Sequence, residues 1–476
     1  MLFNSISFLI FLPIVYTIYW IAQNKKIKKE LEIQNSILLI ASYVFYSFWN
    51  VQFCFLLIFS TLLDFYSGQK IAASKTEHQK RFWFWVSVII NLGLLAFLKY
   101  VNFFIDNTLS ISQFLGINLP IHTLQIILPI GISFYTFHGL SYVIDIYKGK
   151  TQPEKSFINY SLFVSFFPLL VAGPIERSNH LLPQIGKKRT FDRNQSVLGL
   201  QQMLWGFVKK IIIADNFAPY VNIIFENHEH LNSITLLLGV FLFAFQIYGD
   251  FSGYTDIAIG TAKLFGIELL TNFTYPYFSK NMSEFWKRWH ISLSSWFRDY
   301  VYFPLGGNRN GIYKTIRNTF IIFIISGFWH GAAWSFIFWG ALNAIFSLPF
   351  QLNKRSLLPE NNLGNSLAIF FTFICTCFCW IFFRATNLKH AFSFIQHMFS
   401  DFSNFHILLS GRQRLTEVFI VFIVFIFWEW KGKSLATPLQ TINKNNKWVK
   451  WSVYYIIIGL IAYFYKGNEE FIYFQF

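Results

Sequence analysis

The chain has 476 residues, of which 54% are hydrophobic, 21% aromatic and only 13% charged, and Phe alone accounts for 61. Soluble domains carry nearer a quarter charged residues, so this composition excludes a cytosolic enzyme, a disordered protein and a secreted disulfide scaffold, and leaves a polytopic membrane protein. The balance of 39 basic against 23 acidic residues, net +16, reads as Lys and Arg flanking spans on the cytoplasmic side; so few charges cannot coat a nucleic-acid-binding surface, and no nucleic acid partner is expected.

Crossing the hydrocarbon layer as helix takes roughly 20 apolar residues. In chain order the runs that qualify are 3–22, 36–66 (long enough for a tight pair), 82–105, 124–147, 157–175, 196–225, 233–262, 318–350 (a second pair), 364–383, 415–430 and 451–466. They predict an all-α polytopic membrane protein with about a dozen membrane helices and re-entrant segments. The first run is followed, not preceded, by Lys25, Lys26, Lys28 and Lys29, the reverse of a signal peptide, so it reads as a retained span with its N-terminus outside. Basic loops at 25–29, 70–81, 148–155, 177–193, 280–317, 354–355 and 431–450 are expected in the cytoplasm, and 106–122, which lacks Lys and Arg, outside. For 148–155 and 177–193 to share a side, the run 157–175 must turn back or lie in the interface. No repeat, polar domain or Pro/Ser-rich linker divides the chain, which predicts one membrane domain over 1–476. Cys54, Cys375, Cys377 and Cys379 sit in apolar runs and read as membrane-core residues.

Polar groups in a membrane are costly unless they pair or line a wet cavity, so they mark function by default. Asp250, Ser252, Thr255 and Asp256 interrupt the run 233–262, with Gly249 and Gly253 beside them; a kinked span whose polar groups satisfy one another is the plain alternative. Further on, Asn281 followed by Glu284 has capping-box spacing and predicts a helix start. From there Trp286, His290, Ser294 and Phe297/Arg298 share one face at helical spacing, while Lys287 and Arg288 point toward water or headgroups. The competing reading is an interfacial amphipathic helix. Yet it leads into Pro304–Arg309, a Gly-rich turn with a cation, which simple anchoring does not require.

His330 lies in a run from Thr319 to Phe350 that contains no charge, among Gly327, Gly331, Ala332 and Ala333. The small neighbours make room for a substrate or a helix, and read here as leaving a cavity. Imidazole is the side chain whose ordinary pKa suits general-base work near neutral pH, so His330 is the first candidate for catalysis. No GxSxG, P-loop, HExxH or CxxC pair occurs, which gives serine hydrolase, NTPase and zinc chemistry no support. His228 and His230 lie in an acidic loop better read as solvated than as a metal site, and no metal is expected.

The runs Pro129–Phe137, Phe167–Ile175, Asp250–Gly260, Glu284–Leu293, Leu305–Arg309, Gly327–Gly331 and Trp380–Arg384 together resemble the membrane-bound O-acyltransferase superfamily, in its AlgI-like polysaccharide O-acetylation branch. The motif-rich core is about 124–384, and the spans over 385–476 match more loosely. The resemblance implies helices around a central funnel, His330 as the catalytic histidine and His290 as the second. It also implies an acyl group taken from a cytoplasmic thioester and delivered to an extracytoplasmic acceptor. Acetyl-CoA is the expected donor, a substrate rather than a bound cofactor, with Lys287, Arg288, Arg298 and Arg309 available to attract its phosphates. Asn272, Ser292, Trp289 or His290 could donate a hydrogen bond to the oxyanion.

The loops expected outside are too short to grip a polymer. A separate extracytoplasmic SGNH-type acetyltransferase is therefore the expected partner, the polysaccharide an indirect acceptor, and the bacterial inner membrane the location. A DltB-like or peptidoglycan-type relative with another donor or acceptor, a non-catalytic transporter and an export scaffold are the alternatives.

Overall fold

The computed structural model describes the whole chain except residues 23–28, 172, 354–357, 360, 403–405, 408, 410, 468, 470 and 473–476. Lys25, Lys26 and Lys28, the basic loop at 354–355 and Ala172 of the Phe167–Ile175 motif thus lie outside the described residues. No strand occurs among the described residues. Val51–Ala73, Glu77–Phe114, Arg193–Glu226, Ser233–Leu264, Trp334–Leu352 and Asn362–Arg384 are long and apolar enough to cross a membrane, and Ile6–Ile21 is a shorter apolar helix. Helices also form over Glu30–Ser47, Ile132–Tyr147, Ile312–His330, Arg412–Gly432 and Lys447–Phe464.

Both expected pairs are helical hairpins. Phe48–Asn50 turns the first, where the Asn50 side chain caps the next helix by accepting from the Gln52 N–H. The run 157–175 instead breaks into Phe157–Ser165 and Phe167–Leu170, each too short to cross. One boundary differs from expectation. The helix Glu77–Phe114 takes up half of the stretch expected as an outside loop at 106–122, because Ile105, Leu109 and Ile111 carry its apolar character on past the polar residues between them.

The chain falls into two compact units. The first comprises Met1–Ser196 and Thr261–Leu270. Its helices are fastened by buried polar clasps. Asp64, buried on Val51–Ala73, accepts from Ser87 Oγ at 2.6 Å and Asn91 Nδ2 at 2.7 Å on the neighbouring helix. Arg189 donates to Tyr19 Oη at 2.7 Å and to Asn35, which in turn donates to Asn159 at 2.8 Å.

The second unit, Val197–Gly260 with Thr271–Phe476, holds both candidate histidines. Here the α-helix from Arg193 loosens into a π-helical segment, Val208–Ala214, a form that recurs at functional sites. It lies against Ser233–Leu264 backbone to backbone: a Cβ on Gly206 would meet the Gly253 carbonyl at 2.6 Å, and one on Gly249 the Lys209 carbonyl at 2.8 Å. That approach buries two lysines with their acids. Lys209 pairs with Asp256 at 2.9 Å and Glu429 at 3.2 Å, and Lys210 with Asp215 at 2.7 Å and Asp250 at 2.8 Å. The two aspartates that stood out in the apolar run are therefore lysine partners in this unit.

Candidate active site

The segment that carries His290 is built by local capping and then broken by long-range bonds. Asn281 caps Met282–Arg288, its Oδ1 accepting from Glu284 N at 2.8 Å, while the Glu284 carboxylate reaches back to Lys280 N at 2.8 Å. The helix stops at Arg288. Thr274 N–H donates to the Arg288 carbonyl at 3.0 Å and Ile291 N–H to the Asn272 carbonyl at 2.9 Å. Between these ties His290 adopts φ 44° and ψ 53°, and a second short helix, Ile291–Phe297, begins. The single helical face expected from Trp286 through Arg298 is thus divided in two at His290, because main-chain bonds to 272–274 outcompete helix continuation. Left-handed backbone is uncommon for a non-glycine residue. Among the described residues His290 and Tyr275 are the only non-glycine residues that adopt it, both in the segment that forms the site.

Asn272 fixes the tautomer of His290. Its Oδ1 lies 3.3 Å from Ser292 N and 2.9 Å from Ser292 Oγ. A backbone N–H can only donate, so this atom is the amide oxygen, and the His290 Nδ1 at 3.0 Å must carry a proton to donate to it. Nε2 is then the basic nitrogen. His290 is fully buried and outside the spanning helices, and burial pushes its pKa down to about 3, which keeps the ring neutral.

His330 is the last residue of Ile312–His330. After the turn at Gly331–Ala333 the chain returns as Trp334–Leu352. The hairpin is tight because glycines stand where the helices touch: a Cβ on Gly327 would strike the Phe336 carbonyl, one on Gly331 the Phe336 ring, and one on Gly340 the Phe323 carbonyl. Here the sequence reading is corrected. The glycines beside His330 do not leave a cavity; Phe336 and the returning backbone fill it. The imidazole is buried among aromatic rings, with Trp339 at 5.2 Å edge-on, Phe383 at 5.4 Å and Trp329 at 4.9 Å between centroids. The His290 ring is 6.5 Å away.

The open space lies on the far side of Trp286. A cavity of about 840 Å³ is lined by Glu284, Trp286, Lys287, Arg298, Tyr302 and Asn308, among others. Trp286 also contacts Trp339 at 5.7 Å, so one ring faces the cavity and its neighbour faces His330. Of the arginines singled out for phosphate, Arg298 lines the cavity and pairs with Asp299 at 2.9 Å. Arg288 is paired to Glu284 at 2.5 Å, and Arg309 is exposed in the Gly-rich turn. Sequence reasoning missed Trp339 and Phe383 as the walls around His330, since nothing in an aromatic-rich run distinguishes a wall from ordinary packing. His228, set aside as a solvated loop residue, is buried, with Nε2 at 2.9 Å from Ser393 Oγ.

These elements also carry the sequence's likeness to known proteins. The profile of the membrane-bound O-acyltransferase family matches residues 153–385, which include both histidines. A probable alginate O-acetylase of Pseudomonas aeruginosa is 36% identical over 449 residues, covering 93% of this chain and 84% of that protein. The chain belongs to the membrane-bound O-acyltransferase family. A peptidoglycan O-acetyltransferase of Helicobacter pylori is 36% identical over 428 residues, covering 84% of this chain and 80% of its own. More distantly, a teichoic acid D-alanyltransferase of Bacillus subtilis is 31% identical over 278 residues, 55% of this chain and 70% of that one. As a member of this family the chain is a multi-pass membrane O-acyltransferase.

Proposed function

We propose that the protein takes an acetyl group from acetyl-CoA in the cytoplasm and passes it across the inner membrane for O-acetylation of an extracytoplasmic polysaccharide, with a separate SGNH-type transferase completing the delivery. The observation that carries this reading is the pairing of two buried imidazoles, 6.5 Å apart, with a polar cavity behind Trp286. Relatives named for acetylation of alginate and of peptidoglycan support acetyl as the group moved.

In this reading the coenzyme occupies the cavity with its phosphates toward Lys287 and Arg298, while Arg288 and Arg309 add positive potential at the mouth. The acetyl thioester points past Trp286 toward His330. His330 accepts the proton of the acceptor hydroxyl as its oxygen attacks the acetyl carbonyl; the C–S bond then breaks and the proton passes to the departing thiolate. His290, neutral and oriented by Asn272, holds the reacting groups and stabilises the imidazolium formed on His330 through its basic Nε2. The aromatic enclosure excludes water that would otherwise hydrolyse the thioester.

The test is donor choice. Purified protein in liposomes, supplied with acetyl-CoA or with an acyl carrier-protein thioester, is expected to release free thiol from acetyl-CoA, and Lys287→Gln with Arg298→Gln is expected to raise KM for it at similar kcat. Turnover with the carrier-protein thioester alone would replace this reading with the D-alanyltransferase type.

A further inference from the structure

A second cavity in the same unit has no part in the acyl-transfer reading. It is about 330 Å³, and its walls include Phe241, Phe245, Phe370, Phe373, Phe422 and Ile426. Phe370 is 56% exposed, so the groove opens on a side of the unit where Asn362–Arg384 and Arg412–Gly432 expose apolar side chains. A wall almost wholly of hydrocarbon suits a hydrocarbon chain and gives a polar substrate nothing to bond.

One end of the groove is different. Tyr248, Tyr275 and Glu429 line it there, and Tyr275 Oη donates to the Gly432 carbonyl at 3.2 Å, which ties that end to the terminus of Arg412–Gly432. Phe422, Ile426, Glu429 and Lys433 follow one another at spacings of four, three and four, so Lys433 sits on the groove-facing stripe one turn beyond Glu429. Its ammonium lies 3.6 Å from the Trp430 ring centroid, and that of Lys431 4.6 Å from Phe427. Lys431, Lys433, Lys444, Lys447 and Lys450 are the only charged residues between 431 and 450. Trp430, Trp448 and Trp451 are exposed beside them, the pattern of an interfacial anchor. Glu429 does not oppose an anion here, because Lys209 at 3.2 Å and the Tyr248 hydroxyl at 3.0 Å answer its charge.

We propose that this groove is a binding site for an anionic phospholipid, one acyl chain lying along Phe245, Phe373 and Ile426 and the phosphate resting on Lys433. Chain burial supplies affinity and Lys433 supplies headgroup choice, about fivefold for one charge near the membrane surface. The occupant is a structural lipid, so the inference stands whether or not the donor is acetyl-CoA.

The experiment is lipid retention by the full-length protein, purified in mild detergent and titrated with phosphatidylglycerol or phosphatidylcholine of identical chains, with bound lipid counted by native mass spectrometry. Wild type is expected to hold one phosphatidylglycerol about fivefold in preference to phosphatidylcholine. Lys433→Gln is expected to abolish that preference while a chain still binds, and Lys431→Gln, on the opposite face of the helix, to leave it unchanged. Ile426→Trp, which fills the groove, is expected to lose both lipids, whereas Ile423→Trp on the exposed face of the same helix is expected to lose neither. Equal binding of the two lipids by wild type overturns the proposal without any variant. Undiminished phosphatidylglycerol retention by Ile426→Trp, or an unchanged preference in Lys433→Gln, overturns it as well.

Discussion

Trp286 meets Trp339 at 5.7 Å and an interplanar angle of 75°, and this contact is what stands between the polar cavity and the enclosure of His330. One face of the pair borders space large enough for a coenzyme, the other an imidazole. Truncating the partition is expected to admit water. Trp286→Ala is predicted to raise the ratio of thioester hydrolysis to acyl transfer severalfold, whereas Trp286→Phe keeps it near wild type. Released thiol and acetylated product, measured in one assay, give the ratio; an unchanged ratio in Trp286→Ala would remove the partition from the account.

Asn272 holds three donors on one oxygen: the His290 ring, the Ser292 amide and the Ser292 hydroxyl. Each donor left buried without an acceptor costs about 1–3 kcal/mol. Asn272→Leu is therefore expected to lower the thermal midpoint by several degrees and to reduce transfer by more than loss of folded protein explains. Ser292→Ala, which removes one donor together with its need for an acceptor, is expected to be much milder. Scintillation counting of transfer, normalised to folded protein by size exclusion, separates the two effects.

Buried lysines make a third prediction. Lys209 is answered by Asp256 and Glu429, and its removal leaves two carboxylates in a desolvated helix contact. Breaking a buried ion pair from one side costs about 3–5 kcal/mol, so Lys209→Met is expected to be strongly destabilised. Lys209→Met combined with Glu429→Gln is expected to recover part of that loss. If the single and double variants melt alike, the network is not electrostatically coupled.

At the surface, His180 supplies a pH dependence whose sign is fixed. The Glu176 carboxylate, hydrogen-bonded at 2.7 Å, raises the His180 pKa above its ordinary 6.5. A histidine raised in the folded state stabilises fully below the unfolded value and loses that contribution as pH rises through the folded one. The melting difference between wild type and Glu176→Gln is thus expected to be largest below pH 6.5 and to shrink as the pH is raised past the folded pKa. A difference that grows with pH would reverse the assignment.

Much of this was legible in the chain before any coordinates. The membrane class follows from a charged fraction too small to cover a soluble body, and the hairpin at His330 from a long uncharged run punctuated by Gly327 and Gly331. The capping box at Asn281 marked a true helix start because capping is local chemistry. What the chain hid was non-local. Nothing near His290 announces φ 44°; the main-chain bond from Ile291 to Asn272 imposes it across nineteen positions. The glycines near His330 could not say whether they made room for a ligand or for Phe336, since both need the same missing Cβ. Lys209 and Lys210 were visible as charges in an apolar run, yet only the packing of Gly206 on Gly253 shows which acids they meet.

The central claim is that His330 is the base of an acyl relay. The direct measurement is transfer in proteoliposomes with labelled acetyl-CoA on the cytoplasmic face and polysaccharide with a soluble SGNH-type transferase on the other. Wild type is predicted to label the polymer only when that partner is present, and His330→Ala to fall by roughly 10²–10⁴-fold while remaining folded, the range of a lost general base. Polymer labelled at the wild-type rate by folded His330→Ala would contradict the account.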